Sequence, residues 1–365
     1  MQILNYIIAA FALLGALDRL FGNKLGIGAE FERGFELFGS LALAMIGMLV
    51  LVPVLADLLQ PMLDFLRDVL HLEPSVIPAS LIANDMGGAA FSVQVAADPA
   101  LGMFNGLIVS CMMGATISFT IPFSLTTVPK EKHRELLLGM LCGVVTIPLG
   151  CLLGGMLAKI PMGALLADLL PLILLSALLA IGLALCPDFC AKLFRGLGFV
   201  IKALITVGLG CSVLEYLTGI AVIPGLGKLE DAAGIALSCS IYLAGVLPLL
   251  ALVTRLLSRP MKALGERLRI NEHSVLAFIA TLASGITTFA LMEKMDRKGV
   301  LLNAAFAISA AFVFADHLAF TMAFNGAYVG PVVAAKLAGG ASALVLAGLL
   351  SRRFCREEPV RETAN

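Results

Sequence analysis

Uncharged apolar stretches of about 20 residues recur along the whole chain, and they restrict its fold more than any other feature. A helix needs ~20 apolar residues to cross the hydrocarbon core of a bilayer. Candidate spans cover residues 3–17, 37–56, 101–125, 136–158, 169–185, 197–214, 232–254, 300–324 and 328–350. Because 60% of the residues are hydrophobic and only 14% charged, a soluble fold is excluded. The sequence predicts an all-α integral membrane protein with multiple spans.

Two further segments, residues 75–97 and 274–292, are apolar but interrupted. The first contains Pro78 and the pair Gly87-Gly88, and the second contains Ser284-Gly285. Such breaks are typical of discontinuous or re-entrant helices, which are tolerated at membrane depth only where protein or water surrounds them. We expect both segments to be broken, re-entrant helices.

The chain is a tandem duplication. A shift of about 199 residues aligns Pro61-Met62 with Pro260-Met261, and Ser75-Val76 with Ser274-Val275. The predicted organisation is repeat 1 over 1–160, a connecting transmembrane helix over 161–190, repeat 2 over 191–352, and a cytoplasmic tail over 353–365. Each repeat has about five helical segments, of which one is re-entrant.

Loop charges predict that the two repeats are inverted. Residues 57–74 carry one Arg against four acids, whereas the equivalent residues 255–273 carry five Lys or Arg against two acids. Lys and Arg accumulate in cytoplasmic loops. We therefore expect opposite orientations, with the N-terminus outside and the C-terminus, including Arg356, in the cytoplasm. This topology requires both interrupted segments to enter and leave on one side.

Ionisable residues inside apolar segments are costly and usually functional. They are Asp85, Lys202, Asp316, His317 and Lys336. Asp85 lies beside Asn84 and before Gly87-Gly88, where a broken helix would leave backbone carbonyls free next to a carboxylate. This predicts a cation site; the alternative is that Asp85 caps the second half of the broken helix.

Asp316-His317 falls in the middle of span 300–324 and suits either a proton relay or a contact with an amine. A purely structural pair is the alternative. Lys336 is the expected counter-ion of Asp316, and a pair of these two would neutralise both charges. Lys202 is expected to extend its ammonium group toward the membrane surface.

Other functional classes lack their signatures. The chain has no zinc-protease, nucleophile-elbow or phosphate-binding motif, so no enzyme activity, cofactor or metal is expected. Its net charge of zero, without basic blocks, argues against nucleic-acid binding. The sequence favours a small-molecule transporter; a gated amine channel and, less favoured, an intramembrane enzyme are the alternatives.

The chain resembles the ethanolamine utilisation permease family, EutH, from end to end. The resemblance is carried by Glu32-Arg33-Gly34-Phe35-Glu36, Asp85-Met86-Gly87-Gly88, Met112-Met113-Gly114, Thr146-Ile147-Pro148-Leu149-Gly150-Cys151, Pro224-Gly225-Leu226, Ser309-Ala310-Ala311-Phe312 and Asp316-His317-Leu318. It implies a bacterial inner-membrane permease that carries ethanolamine, a small amine that is cationic at neutral pH. A homo-oligomer is compatible with this assignment.

Such a ligand needs a carboxylate or an aromatic face for its ammonium group and a donor and acceptor for its hydroxyl. Asp85 fits the first role, with Phe91 or Phe119 as the aromatic face. The expected substrate-binding residues are Asn84, Asp85, Gly87, Gly88, Ser110, Thr116, Ser284, Asp316 and His317. Transport by alternating access is expected.

Overall fold

The computed structural model describes residues 2–354, except the side chains of residues 257–264, 266–268 and 352–354. The predicted cytoplasmic tail, residues 353–365, lies outside the described residues from residue 355 onward, and so does Arg356. Within residues 2–354 the chain is helical and contains no strand, which confirms the predicted all-α class.

Helices follow one another with short connections. They are α1 (Gln2–Leu20), α2 (Gly28–Glu36), α3 (Phe38–Asp68), α4 (Val76–Leu81), α5 (Gly88–Val95), α6 (Pro99–Thr127), α7 (His133–Leu157), α8 (Met162–Leu185), α9 (Pro187–Thr218), α10 (Leu229–Leu268), α11 (Glu272–Ala283), α12 (Gly285–Leu291), α13 (Arg297–Ala310), α14 (Asp316–Asn325) and α15 (Val329–Phe354).

Eight helical segments of the described chain are long and apolar enough to cross a bilayer. Their outward faces are apolar as well. In α8, for example, Leu170, Leu174 and Leu178 recur at helical spacing, and each exposes more than half of its surface. Side chains of this kind suit a lipid environment, because water would make their exposure unfavourable. The chain is therefore a multi-pass membrane protein.

The first interrupted segment folds back on itself as a hairpin of α4 and α5, here called the first hairpin. At its base the Glu73 carboxylate accepts hydrogen bonds from the backbone N–H groups of Ala97 (2.9 Å) and Asp98 (3.2 Å). A straight helix would separate these ends by about 36 Å, at 1.5 Å per residue. The two ends of the segment consequently lie side by side.

The second interrupted segment, α11 and α12, closes in the same way and is called the second hairpin. The Asp296 carboxylate accepts hydrogen bonds from the Asn271 backbone N–H (2.9 Å) and the Ser274 hydroxyl (2.7 Å). At the other end, the chain breaks at Ser284, which adopts an extended conformation. That these two hairpins re-enter the membrane from opposite faces stays a prediction.

The expectation of one continuous span over residues 300–324 is wrong. Helix α13 ends at Ala310 and α14 begins at Asp316, and between them Phe312 has a left-handed φ of 63°. The backbone N–H groups of Phe312 and Phe314 donate to the carbonyls of Thr281 (3.0 Å) and Leu282 (2.9 Å). Because α11 ends at Ala283, these two carbonyls receive no hydrogen bond from a following helical turn. They accept hydrogen bonds from Phe312 and Phe314 instead, and the helix is interrupted there.

Helix α6, which corresponds to α13 and α14 in the predicted repeat alignment, stays continuous but is widened. It is π-helical over Asn105–Gly114 and Thr116–Thr120, and every residue of the first stretch is buried. Long π-helical stretches are rare and concentrate at functional sites. If the predicted alignment holds, the same position is widened in one repeat and broken in the other.

Helix α7 packs closely against α13 and α15 through its glycines. A Cβ atom on Gly139 or Gly143 would overlap α13, and one on Gly150 or Gly154 would lie within 2.8 Å of Ala335 in α15. Small residues at such spacing allow helix backbones to approach within a membrane, where packing rather than hydrophobicity drives association. These three helices form a closely packed group beside α6.

Candidate functional site

The chain between α4 and α5 forms a tight polar turn at the tip of the first hairpin. Ile82 and Ala83 are extended, Asn84–Met86 form one 3₁₀ turn, and Gly87 has a φ of 98°. The backbone N–H groups of Met86 and Gly88 both donate to the Ala83 carbonyl, at 3.1 and 2.9 Å. Only glycine adopts this φ readily, so the pair Gly87-Gly88 fixes the turn that presents Asn84 and Asp85.

Asp85 does not act as the helix cap that the sequence offered as an alternative. Helix α5 begins after Gly87, and no side-chain hydrogen bond caps its first turn. The Asp85 side chain is instead half-buried at the hairpin tip. A carboxylate in this position is available to a ligand, which is consistent with the predicted cation site but does not test it.

The tips of both hairpins contact the helix pair that is broken at Phe312. The turn Asn84–Met86 contacts α14, whose first two residues are Asp316 and His317. A Cβ atom on Gly285, at the tip of the second hairpin, would lie 3.1 Å from the Phe312 ring. The first tip therefore contacts the helix after the break, and the second contacts the break itself.

Lys336 does not form the expected ion pair with Asp316. Its ammonium group is 1% exposed and donates to the Cys111 carbonyl in the widened part of α6, at 2.8 Å. No ion pair joins it to Asp316 in the described part of the chain. Lys336 and Asp316 are both near enough to Asp85 for their charges to act on it.

Several polar atoms of this region are buried without a hydrogen-bond partner among the described residues. Both amide atoms of Asn84 are of this kind, and so is the Nδ1 atom of His317. Burying such atoms unpaired costs about 1–3 kcal/mol each, so a polar ligand that paired them would be favoured. We call Asn84, Asp85, Asp316, His317 and Lys336 the central polar cluster.

An aromatic wall flanks the central polar cluster. The Phe312 ring lies 5.4 Å from the His317 ring and 5.9 Å, edge to face, from Phe119. Phe119 in turn stacks on Phe123 at 5.2 Å. Phe119 was anticipated as a cation-facing ring, whereas Phe91 packs into a separate apolar cluster with Met48. Aromatic faces within about 6 Å of an ammonium group attract it.

Other residues expected at the site have structural partners. The Ser110 hydroxyl donates to the Ile82 carbonyl (2.6 Å), and the Thr116 hydroxyl donates to the Met112 carbonyl (2.6 Å). A Cβ atom on Gly88 would overlap Ser110 and Ile82, so Gly88 permits close packing of α5 on α6. Ser284 marks the break of the second hairpin. Lys202 is exposed near the middle of α9, and extension of its ammonium group to the membrane surface stays a prediction.

Sequence reasoning missed Phe312 and the carbonyl of Cys111. Phe312 carried no signal, because the run Ala311–Ala315 lacks Gly and Pro. The Cys111 carbonyl is a backbone group, and no side-chain pattern marks it. Asp168 in α8 was also missed, although it is the only charged residue of the apolar run Met162–Leu185.

A buried polar cluster inside a bundle of apolar helices is the arrangement in which membrane transporters bind small solutes. The chain belongs to the EutH family: the model of the family described as "Ethanolamine utilisation protein, EutH" matches residues 1–350. This confirms the resemblance seen in the sequence.

Relatives share the whole length of the chain. The "Probable ethanolamine permease EutH" of Listeria monocytogenes is 37% identical, covering 99% of this chain and 97% of the relative. The "Uncharacterized protein YxeR" of Bacillus subtilis is 36% identical with the same coverage. The "Probable ethanolamine permease EutH" of Escherichia coli is 35% identical, covering 96% of this chain and 95% of the relative. No solved structure shows significant similarity.

Proposed function

We propose that this protein carries ethanolamine, in its protonated form, across the bacterial inner membrane, and that the central polar cluster binds it. Charge supports the proposal. With the imidazole counted as neutral, Asp85 and Asp316 supply two negative charges against the one positive charge of Lys336. The cluster is therefore short of one positive charge, which a monovalent cation would supply.

Hydrogen-bonding capacity supports the same ligand. Ethanolamine offers three ammonium N–H donors and a hydroxyl that both donates and accepts. The unpartnered Asn84 amide presents one acceptor and two donors, and the His317 Nδ1 atom is also unpartnered. The single observation that carries the proposal is this unpaired Asn84 amide, next to Asp85 in a turn that contacts the helix beginning at Asp316.

The names of the relatives agree with this substrate, since those from Listeria monocytogenes and Escherichia coli are called probable ethanolamine permeases. The Asp85 carboxylate takes the ammonium group, and the Phe312 and Phe119 rings border it. Asn84 takes the hydroxyl. Lys336 holds α15 to α6 through the Cys111 carbonyl and limits how tightly Asp85 retains a cation, which favours release.

We further infer that transport proceeds by alternating access of two inverted repeats. Equivalent helices pack in equivalent ways: α3 packs on α9 as α10 packs on α1, and α4 packs on α6 as α11 packs on α13. Helices α7 and α15, which correspond to each other, pack mutually. An axis in the membrane plane would relate such pairs. Loop charges predict that the N-terminus lies outside and the C-terminus inside. A homo-oligomer stays a prediction as well.

Uptake of radiolabelled ethanolamine into proteoliposomes tests the substrate and the site. We expect Asp85→Asn, which keeps the shape but removes the charge, to reduce uptake to background. Breaking a buried ion pair costs about 3–5 kcal/mol, or roughly 150- to 5,000-fold in affinity. The control is Asp57→Asn, an exposed acid of α3 outside the central polar cluster, which should leave uptake unchanged.

Three results would contradict the proposal. Full uptake by the Asp85→Asn variant would remove the assigned role of the carboxylate. Uptake that never saturates with ethanolamine concentration would favour a gated channel over a carrier. Absence of ethanolamine uptake by the wild-type protein would remove the substrate itself.

A further inference from the structure

A second polar site lies at the base of the first hairpin, away from the central polar cluster. A cavity of about 360 Å³ opens between the end of α3, the base of α4, the start of α6 and the second turn of α8. Its polar wall is formed by Arg67, His71, Glu73 and Asp168. The volume is sufficient for a small organic molecule.

Asp168 is a buried carboxylate with one oxygen fixed and one unused. The side chain belongs to a residue only 4% exposed. Its Oδ1 atom accepts a hydrogen bond from the Asn105 side-chain amide at 3.0 Å, while its Oδ2 atom has no partner among the described residues. The Asn105 carbonyl oxygen is also buried and unpartnered. Two acceptor atoms therefore lack donors at the same place.

Neighbouring charged groups are already engaged elsewhere. Arg67, the only Arg of the cavity wall, donates to Asp64 and Asp68 at 2.8 Å. The carboxylate of Glu73 accepts from the backbone of Ala97 and Asp98 at the hairpin base. Asp168 consequently forms no ion pair within the described residues, and the cavity keeps an uncompensated negative charge.

The donor set selects the chemical class of the ligand. One carboxylate oxygen and one amide oxygen are too few for Ca²⁺, which takes six to eight oxygen ligands. A primary ammonium group, with three N–H donors, matches two acceptors and leaves one for water or the Ser75 hydroxyl, which already binds the Asn105 amide at 2.9 Å. The site therefore suits the ammonium group of a small amine.

We propose that the Asp168 cavity is a second amine-binding site, where the protonated substrate docks before it reaches the central polar cluster. This inference rests on the proposed function. Helix α6 joins the two places, because Asn105, which binds Asp168, and Cys111, which binds Lys336, are six residues apart in it. At helical rise their backbones are at most about 9 Å apart. The two sites therefore lie along one helix, and passage of the cation from one to the other is part of the proposal.

Equilibrium binding of radiolabelled ethanolamine to the full chain in nanodiscs tests the inference, at a pH where the amine is protonated. We expect two molecules per wild-type chain and one for Asp168→Asn, since Asn keeps an oxygen for the Asn105 amide but loses the charge. Asp85→Asn should instead retain the site at Asp168. In proteoliposomes, Asp168→Asn should raise KM roughly 10- to 100-fold with an unchanged maximal rate.

Ala167→Leu provides an independent variant. Ala167 lines the cavity and is exposed, so a larger side chain there fills the cavity without removing the hydrogen bond of Asp168. It should raise KM in the same direction, whereas Asp57→Asn should not. If the role of Asp168 were purely structural, Asp168→Asn would instead lower the maximal rate and the folded fraction. That result would overturn the inference.

The outcomes separate this inference from the proposed function. Two bound molecules and a normal KM in Asp168→Asn would overturn the second site alone. One bound molecule in the wild type, lost in Asp85→Asn, would do the same. No bound ethanolamine in the wild type would overturn both the second site and the proposed substrate.

Discussion

Gly87 is the position where the structure makes the sharpest quantitative prediction. Its φ of 98° lies outside the range that residues with a Cβ adopt readily, and a Cβ atom there would overlap the buried side chain of Met48. In Gly87→Ala the backbone conformation costs of the order of 1–3 kcal/mol. Overpacking against Met48 adds about 1–3 kcal/mol. We expect a total loss of about 2–6 kcal/mol in the free energy of unfolding.

Two variants separate these contributions. Gly219 also has a left-handed φ, of 72°, but nothing lies within 4 Å of the position that a Cβ atom would occupy there, so Gly219→Ala should lose only the backbone part. In a Met48→Ala background, Gly87→Ala should cost about 1–3 kcal/mol less than in the wild type, because the overlap is gone. Equilibrium unfolding in mixed micelles measures each value.

Ethanolamine transport should be affected more by Gly87→Ala than by Gly219→Ala, as stability is. The strained turn carries Asn84 and Asp85, so Gly87→Ala should abolish ethanolamine uptake per folded molecule, whereas Gly219→Ala should retain it. Equal stability and equal uptake for Gly87→Ala and Gly219→Ala would refute the reasoning. Such a result would mean that the backbone at the tip of the first hairpin can rearrange without affecting the binding site.

Two further predictions concern the hairpins. Ser110→Ala should lower the free energy of unfolding by about 0.5–1.5 kcal/mol, because the Ser110 hydroxyl donates to the Ile82 carbonyl. Ser309→Ala, at the position that the predicted repeat alignment makes equivalent, should be neutral, because the Ser309 hydroxyl has no partner among the described residues. Equal losses for the two variants in unfolding experiments would contradict this. Lys132→Met should lower the free energy of unfolding by about 1.5–3 kcal/mol, because the Lys132 ammonium group donates to three backbone carbonyls at the end of the second hairpin. The control Lys130→Met should change it by less than about 0.5 kcal/mol.

Features that depend on local chemistry could be predicted from the sequence. The breaks of the two hairpins were located by Gly87-Gly88 and Ser284-Gly285, because glycines and short polar residues lower the helical preference of an apolar segment. Asp85 and Asp316 were identified because a charge in hydrocarbon requires an explanation. Asp85 lies in the turn that contacts α14, the helix that begins at Asp316.

Features that depend on partners distant in the chain could not be predicted. The helix break at Phe312 is imposed by the carbonyls of Thr281 and Leu282, about 30 residues away, and not by any residue within the break. Lys336 was assigned to Asp316 because a carboxylate is the usual partner of an ammonium group. It binds the Cys111 carbonyl instead, and that preference follows from where α15 lies against α6.

In the predicted duplication, the central polar cluster draws chemically different groups from the two repeats. Asp85 belongs to the first hairpin, whereas Asp316 and His317 begin α14 after the helix break. In the proposed inverted arrangement, exchange of conformation between the repeats would interconvert the outward and inward states. A bound cation that contacts Asp85 and Asp316 would then stay attached to both repeats during this exchange. Under this proposal the two acids need not be related by the duplication; they need only belong to opposite repeats.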